Sequence, residues 1–495
     1  MGYTEKVAVV GAGISGLACA YRLKQLGVPC LVLEARERAG GLIASIRRNG
    51  LLFETGPQCP RFPASVWQLV RELNLETEFV PGDAKAKRYI LRDGELRRAP
   101  FSPGGLIGTQ LLGVQSKLRI LTEVFRSSQP PPREESLAEF VQRKFGKEVL
   151  DYLVDPLIST IFFGDAHQMG MESAFPALVE WEKKHGSLVR GAIHARNSKK
   201  RELKTDSSGR ASSTNGKRGS LRVTDALPSL GSFRSGMAAL PERLAANLQE
   251  EIRYNAGIEH FEQVRNPDGV MNASWEIVLS SGEKIRTGHL ILAVPAYVAA
   301  GFLANTVPQL ANSLEAIEYA PVCAVSSAYL RAQVANPLDG FGYMIPRREG
   351  LQTICTFWNS SLFPGRAPEG QVLITSFAGR ELNGIDATLD EENLARIVEA
   401  ENARALGISG LPIDRVVWED TRALPQYNVG HTRRVSEIQN ILSAVPNLKI
   451  VGNFLKGRSI GDCVDLAFSA AQDVHSRIRE ENIQVVAESS KERSA

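Results

Sequence analysis

Apolar and polar positions follow two periods along this chain, and the switches between them mark out its elements. Residues 7–10 form a short apolar run of the kind that makes a buried strand. Residues 15–26 carry apolar side chains at helical spacing and stop at Gly27, a residue suited to closing a helix. Residues 31–33 make a second strand, so 6–45 reads as β-α-β. From about 62 to 195 the pattern is mostly helical, with Pro/Gly interruptions at 100–105 and 130–132. Residues 196–222 are polar and poor in apolar side chains, which predicts a disordered loop. Strand signals return after 250. "WEIVLSSGEKIRTGHLILAVP" alternates, turns at Ser281 and Gly282, and runs into the apolar 290–294. More strands are expected in 320–380, then a helix over 390–406. The strand "LKIVGN" and a helix from about 462 to 481 follow, and 485–495 reads as a frayed tail. There is no internal repeat.

The first strand–helix junction carries chemistry. Gly11, Gly13 and Gly16 form G-x-G-x-x-G there. The first glycine serves the tight turn, the second lets a pyrophosphate reach the backbone, and the third lets helix and strand pack closely. The phosphate then meets the helix N-terminus, where free N–H groups and the dipole favour an anion. Glu34, at the end of the second strand, suits ribose hydroxyls and argues against a 2′-phosphate. These features predict a dinucleotide. "EARERAGG" follows, with Arg36 and Arg38 after the acid and then Gly40 and Gly41.

Composition narrows the partners. The 495 residues allow two or three domains with ample core. A net charge of +3 gives no reason to expect nucleic acid. The six cysteines are scattered, with no C-x-x-C and no Cys/His metal spacing, so free thiols in a reducing compartment and no metal are expected. No apolar run is long enough to span a membrane, and none reads as a signal peptide. The seven histidines sit in no motif with a nameable chemistry, and no Ser-His-Asp constellation is present.

The glycine pair resembles the second glycine turn of the flavin amine oxidase superfamily, where the backbone passes close to the FAD diphosphate. Leu42 stands where many members have arginine, and "ETGP" (54–57) matches a loop that passes near the flavin ring. A narrower resemblance, to the oxygen-dependent protoporphyrinogen oxidases, covers nearly the whole chain. "GGLIAS", "FETGPQCPR", "AKRYILRDGELRRAP", "DPLISTIFFGD", "FPALVEWEKKHGSLVRGAI", "GFGYMIP", "LPQYNVGH" and "VGNFLKGRSIGDCVDLA" occur in that family's order and spacing.

The resemblance implies an α/β and α+β fold in three parts. A Rossmann-like FAD domain of the p-hydroxybenzoate hydroxylase/amine oxidase type would be assembled from 1–85, 224–296 and 416–484. Residues 90–220 would form a helical membrane-associating domain and 297–415 a mixed-sheet substrate domain. FAD, held noncovalently, would contact Gly11, Ala12, Gly13, Ile14, Ser15 and Gly16, then Glu34, Ala35, Arg36, Gly40, Gly41 and Leu42. The loop of Gly56, Pro57, Gln58 and Cys59 would follow, with Ile258 at the adenine and Asn453, Arg458, Ser459 and Ile460 beside the isoalloxazine. The last helix would direct its positive end at the flavin. Cys463 lies near the place where some amine oxidases attach flavin covalently, and reads here as a buried thiol.

The implied substrate is a porphyrinogen, with Arg88 at its propionates and Phe341, Met344, Ser376 and Phe377 as walls. Thr160 stands where the family often has glycine. On the residues alone, Arg88 reads better as a surface arginine in a basic stretch and the apolar residues as core packing, and it is the resemblance that gives them these roles. The implied reaction passes hydride from a meso carbon to flavin N5 and takes protoporphyrinogen IX to protoporphyrin IX, or alternatively coproporphyrinogen III to coproporphyrin III, in three two-electron rounds. Molecular oxygen reoxidises the flavin to give hydrogen peroxide, and no protein side chain is needed as catalytic base. Another flavin oxidase, such as an amine oxidase or a carotenoid desaturase, or a non-enzymatic relative, are the competing readings. Residues 104–125, with Lys117 and Arg119 on the polar side, suit either an interfacial helix or ordinary packing. Peripheral contact with the cytoplasmic membrane, a cytoplasmic location and a homodimer complete the expectations.

Overall fold

The computed structural model describes residues 4–100, 103–126, 130–194, 229–264, 274–378 and 390–492. The loop expected over 196–222 lies outside them.

The first sheet grows from the opening β-α-β. Thr4–Val10 pairs parallel with Cys30–Leu33 on one side and Lys284–Leu292 on the other. Ile252–Arg253 and Leu448–Ile450 add further parallel pairs. Ser274–Leu279 and Ile258–Val264 extend the sheet antiparallel. Both faces are covered, so successive strand residues point into different cores. Val7, Val9 and Val32 pack with the Ile14–Gln25 helix and the final helix. Ala8, Val10 and Leu33 pack against Ala296–Leu303, Pro308–Glu315 and His431–Ala444.

The second sheet has the strand order Asp414–Pro425, Tyr319–Leu330, Gln371–Ala378, Thr353–Phe357, Gly340–Met344, Lys87–Arg92 and Glu95–Arg98. Helix Glu391–Leu406 covers one face through Leu394, Ala395 and Val398. Helix Asp155–Phe162 lies over the other, where Leu157 and Phe163 pack on Met344, Ile354 and Phe377.

Three elements differ from the sequence pattern. The hairpin Lys87–Arg92 and Glu95–Arg98 interrupts the stretch expected to be mostly helical, because it extends the second sheet through parallel pairing with Gly340–Met344. The segment 104–125 is two short helices, Pro103–Gly108 and Val114–Leu121, followed by a 3-10 turn at Glu123–Phe125. Glycines at 104, 105, 108 and 113, with the Thr109 Oγ1 bond to Leu111 N (3.1 Å), break the longer helix. The final helix runs Ile460–Glu492, past the expected end near 481 and into the expected frayed tail of 485–495, and no Gly or Pro in 482–492 stops it.

Candidate nucleotide and substrate site

The glycine turn is built by close approach. Gly11 has φ +98°, and a Cβ there would lie 2.7 Å from Ala293 O. A Cβ on Gly16 would lie 1.9 Å from Gly11 O, so only glycine lets this helix meet its strand. Gly13 differs, because a Cβ there meets nothing within 4 Å. It is also the N-cap of Ile14–Gln25 and has no side-chain cap, which leaves first-turn N–H groups for a ligand. The second glycine turn lies directly against the first. Gly40 N donates to Ala12 O at 2.8 Å, and a Cβ on Gly41 would sit 3.3 Å from Gly13 Cα.

Glu34 is oriented by the backbone it faces. Its carboxylate accepts from Ala12 N at 2.7 Å and Arg36 N at 2.9 Å. A carboxylate has acceptor positions left after two bonds, enough for ribose hydroxyls. Asn255 N and Ala256 N donate to Arg36 O and Glu34 O, which brings Ile258 to the same end of the sheet. Ala35 and Arg36 are exposed beside it. Open space at Gly13, a bare helix N-terminus and spare acceptors on Glu34 fit a dinucleotide.

The loop of Gly56, Pro57, Gln58 and Cys59 is held from both sides. Gln58 Nε2 donates to Glu54 O (3.1 Å) and Gly56 O (2.9 Å), while its Oε1 accepts from Asn359 Nδ2 at 2.6 Å. That last bond ties the loop to the second sheet. Leu42 O accepts from Thr55 Oγ1 at 3.5 Å, a long contact. At the loop's root, Glu54 pairs with Arg366 at 2.9 Å, and both side chains are 2 % exposed. Ser45 Oγ and Met237 N also donate to Glu54. Burial pushes the Glu54 carboxyl above its ordinary pKa and the Arg366 guanidinium below its own, with their mutual attraction opposing both shifts. Nothing in the local sequence pattern marks this pair.

The final helix begins beside the same region. Ser459 N donates to Asp462 Oδ2 (3.0 Å) and Asp462 N to Ser459 Oγ (3.1 Å), a reciprocal cap. Ile460 is buried. Cys463 is buried against Ser15 of the glycine turn, and burial pushes its thiol up to about 11. Asn453 O accepts from Tyr427 Oη at 2.6 Å, and Tyr427 stacks on His431 at 4.4 Å. Burial lowers His431 to about 4, so its ring is neutral. Arg458 lies 3.4 Å from the Phe162 ring centroid and donates to Ile161 O, with its pKa lowered to about 10 by burial. It thereby ties the helix Asp155–Phe162 to the start of the final helix.

Arg88 sits where these parts converge. Its guanidinium is 4.4 Å from the Phe341 ring centroid and donates to Ala84 O and Ala86 O at 3.3 Å each. Burial lowers its pKa, and its ionisable neighbours are Cys59, Arg61 and Asp83. Burial also pushes the Cys59 thiol up to about 12. Arg88 and the 56–59 loop are therefore adjacent. From Phe341 a row of rings crosses the sheet face: Phe341–Phe357 at 5.6 Å, Phe357–Phe377 at 5.8 Å and Phe377–Phe163 at 5.2 Å. Met344 packs on the same face as Phe377. Phe357 and Phe163 are additions to the sequence-predicted set. Phe357 lies in the 320–380 stretch expected to hold strands and Phe163 in "DPLISTIFFGD", and strand alternation places Phe357 on one face with Cys355.

Ser376 is not brought to this face. It neighbours Phe377 in one strand, so the two point to opposite sides. Its hydroxyl bonds Thr356 Oγ1 and Asn402 Nδ2, each at 2.9 Å, in a buried network that also includes Tyr343. Thr160 lies in the helix Asp155–Phe162, and its buried Oγ1 has no hydrogen-bond partner among the described residues.

Residues 14–475 match the model of the family described as flavin containing amine oxidoreductase. The chain is 31 % identical over 491 residues to a mitochondrial protoporphyrinogen oxidase of Nicotiana tabacum, covering 95 % of each chain. It is 26 % identical to a coproporphyrinogen III oxidase of Bacillus subtilis, covering 95 % of this chain and 97 % of the relative. Its fold is similar to the crystal structure of a protein from an Exiguobacterium species, provisionally named a protoporphyrinogen oxidase. The TM-score is 0.77 at 22 % identity, covering 96 % of this chain and 99 % of the other.

Proposed function

The chain belongs to the flavin containing amine oxidoreductase family and groups with its porphyrinogen oxidases, and from that premise we propose that it oxidises protoporphyrinogen IX. The observation that carries this reading is Arg88, adjacent to the 56–59 loop and stacked on the first ring of an aromatic row. A propionate needs a cation, and a guanidinium can hold it through two hydrogen bonds. A tetrapyrrole needs flat apolar walls, which Phe341, Phe357, Phe377, Phe163 and Met344 supply. Coproporphyrinogen III, with more propionates, is the second reading, favoured by the similarity to the B. subtilis enzyme.

Gly11, Gly13, Gly16, Gly40, Gly41 and Glu34 would hold the dinucleotide half of FAD, and the 56–59 loop with Asn453, Arg458, Ser459 and Ile460 its ring half. Bound FAD would supply a two-electron acceptor for a substrate hydride, with oxygen as the final acceptor and hydrogen peroxide as product. The chain's own residues do the rest. Arg88 orients the substrate by its propionates, and the aromatic row keeps water from its apolar face. Aromatisation supplies the driving force, so no strong protein base is required. Retention of FAD without a covalent link agrees with a Cys463 thiol that is buried and neutral, a weak nucleophile.

The reading extends to the remaining expectations. The FAD domain of 1–85, 224–296 and 416–484 agrees with a first sheet that draws strands from all three segments. The substrate domain of 297–415 shares its sheet with the 87–98 hairpin and with the strand Asp414–Pro425, which runs past the expected boundary at 416. Membrane contact through 104–125 is supported by exposed apolar side chains, with Phe125 85 %, Val114 74 % and Leu118 57 % exposed. No helix among the described residues is long and apolar enough to cross a membrane. Peripheral attachment to the cytoplasmic membrane, and a homodimer, stay part of the proposal.

Arg88→Ala tests the reading. Loss of a charge-assisted contact should raise the porphyrinogen KM roughly tenfold or more, with flavin content unchanged. A variant with wild-type KM removes Arg88 from the site.

A further inference from the structure

A cavity of about 120 Å³ with both polar and apolar walls lies against the helix Asp155–Phe162. Ser159, Phe163, Asp165, Tyr319, Arg347 and Gln426 are among its lining residues. Ser159 is 3 % exposed, and its Oγ has no hydrogen-bond partner among the described residues. The same is true of Arg347 Nε and of Thr160 Oγ1, one residue along the helix. A buried hydroxyl left unpaired is costly, and a cavity of this volume with polar groups on its wall has room for water.

The element that bounds the cavity is unusual at both ends. A π-helical turn, Leu150–Val154, precedes it, and Phe163 closes it in the left-handed region at φ +49°. A positive φ is costly for a bulky aromatic residue, and both π turns and such backbone strain cluster at functional sites. Phe163 is shared: it lines the cavity and ends the aromatic row through Phe377. The charges around the cavity are unequal. Arg347 faces two carboxylates, Asp165 at 3.0 Å and Asp155 at 3.4 Å, and Glu318 stands at the lining as well. The surroundings are therefore net negative, which favours protons and repels propionates.

We propose that this cavity holds the water through which the substrate's pyrrole protons leave, with Ser159 and Arg347 as positioning residues. The inference rests on the porphyrinogen reading above. Over the three two-electron oxidations four meso C–H and two N–H bonds break. Three hydrogens would leave as hydride to bound FAD and three as protons to water, two from pyrrole nitrogens and the third from a meso carbon as the ring tautomerises, each electron pair left behind forming a new double bond. One proton is released for each hydride, and the net-negative cavity receives it one wall away from the ring face.

Two measurements test this. High-resolution diffraction of the holoprotein should show ordered water bonded to Ser159 Oγ, and a dry cavity overturns the proposal whatever the substrate is. In single-turnover oxidation of a porphyrinogen, Ser159→Ala and the cavity-filling Ala320→Val should be roughly tenfold slower at unchanged substrate affinity. Their solvent deuterium isotope effect should exceed that of the wild type, and Ser159→Thr should restore the rate. Wild-type rates and isotope effects in both variants, or a loss confined to affinity, overturn it. A wild-type protein that oxidises no porphyrinogen removes the substrate reading, and this inference with it.

Discussion

Arg366→Met removes the counter-charge of Glu54 at a place where both side chains are 2 % exposed. The pair joins three stretches of chain. Arg366 O accepts from Leu52 N at 3.0 Å, its guanidinium reaches Ser232 Oγ, and Glu54 accepts from Ser45 Oγ (2.6 Å) and Met237 N (2.9 Å). Losing one partner of a buried pair costs about 3–5 kcal/mol. The two hydrogen bonds that Glu54 keeps put the expected loss near the lower end, about 3 kcal/mol. The loss has a pH signature. Burial already holds the Glu54 carboxyl above its ordinary value of 4.5, and Arg366 pulls it back down. Without Arg366 the folded-state pKa climbs further. A carboxyl raised in the folded state stabilises below its unfolded pKa, and that stability is lost as pH rises through the folded value. The variant should therefore be close to wild type near pH 4.5, and its deficit should grow as the pH is raised. Urea unfolding followed by tryptophan fluorescence at pH 5 and pH 8 measures this, and Glu54→Gln added to Arg366→Met should flatten the pH dependence. A deficit below about 1 kcal/mol at pH 8, the size of an exposed pair, would refute the reasoning. So would a deficit that does not grow with pH.

Two further outcomes follow from the site and the surface. Gly13→Val places its side chain in open space, so the variant should keep wild-type circular dichroism while FAD binds at least about tenfold more weakly; full flavin content after purification would contradict the cradle. Leu118→Glu with Phe125→Glu removes two exposed apolar side chains worth about 1.5–3 kcal/mol each when buried, so cosedimentation with anionic lipid vesicles should fall at least about tenfold. Unchanged cosedimentation would locate the membrane contact elsewhere.

The nucleotide end of the site is legible in the sequence because its chemistry is local. Gly11, Gly13, Gly16 and Glu34 fall within one β-α-β unit, and spacing alone places them on one turn. The substrate end depends on strand register. Arg88, Phe341, Phe357, Phe377 and Phe163 are distant in the chain and meet because Lys87–Arg92, Gly340–Met344, Thr353–Phe357 and Gln371–Ala378 lie side by side. Period-two alternation does separate Ser376 from Phe377, but only the position of the Asp155–Phe162 helix shows which of the two faces the site. The Lys87–Arg92 strand escapes a pattern reading because it is short, sits in a helical stretch and pairs with a distant partner. The Glu54–Arg366 pair and the Ser159 cavity are long-range in the same way, and no spacing rule reaches them.

The most direct measurement follows porphyrin fluorescence and oxygen uptake together while the purified holoprotein is given protoporphyrinogen IX or coproporphyrinogen III. The account predicts fluorescence that rises with oxygen consumption, faster for protoporphyrinogen IX. No porphyrin from either substrate, with an amine oxidised instead, would contradict it.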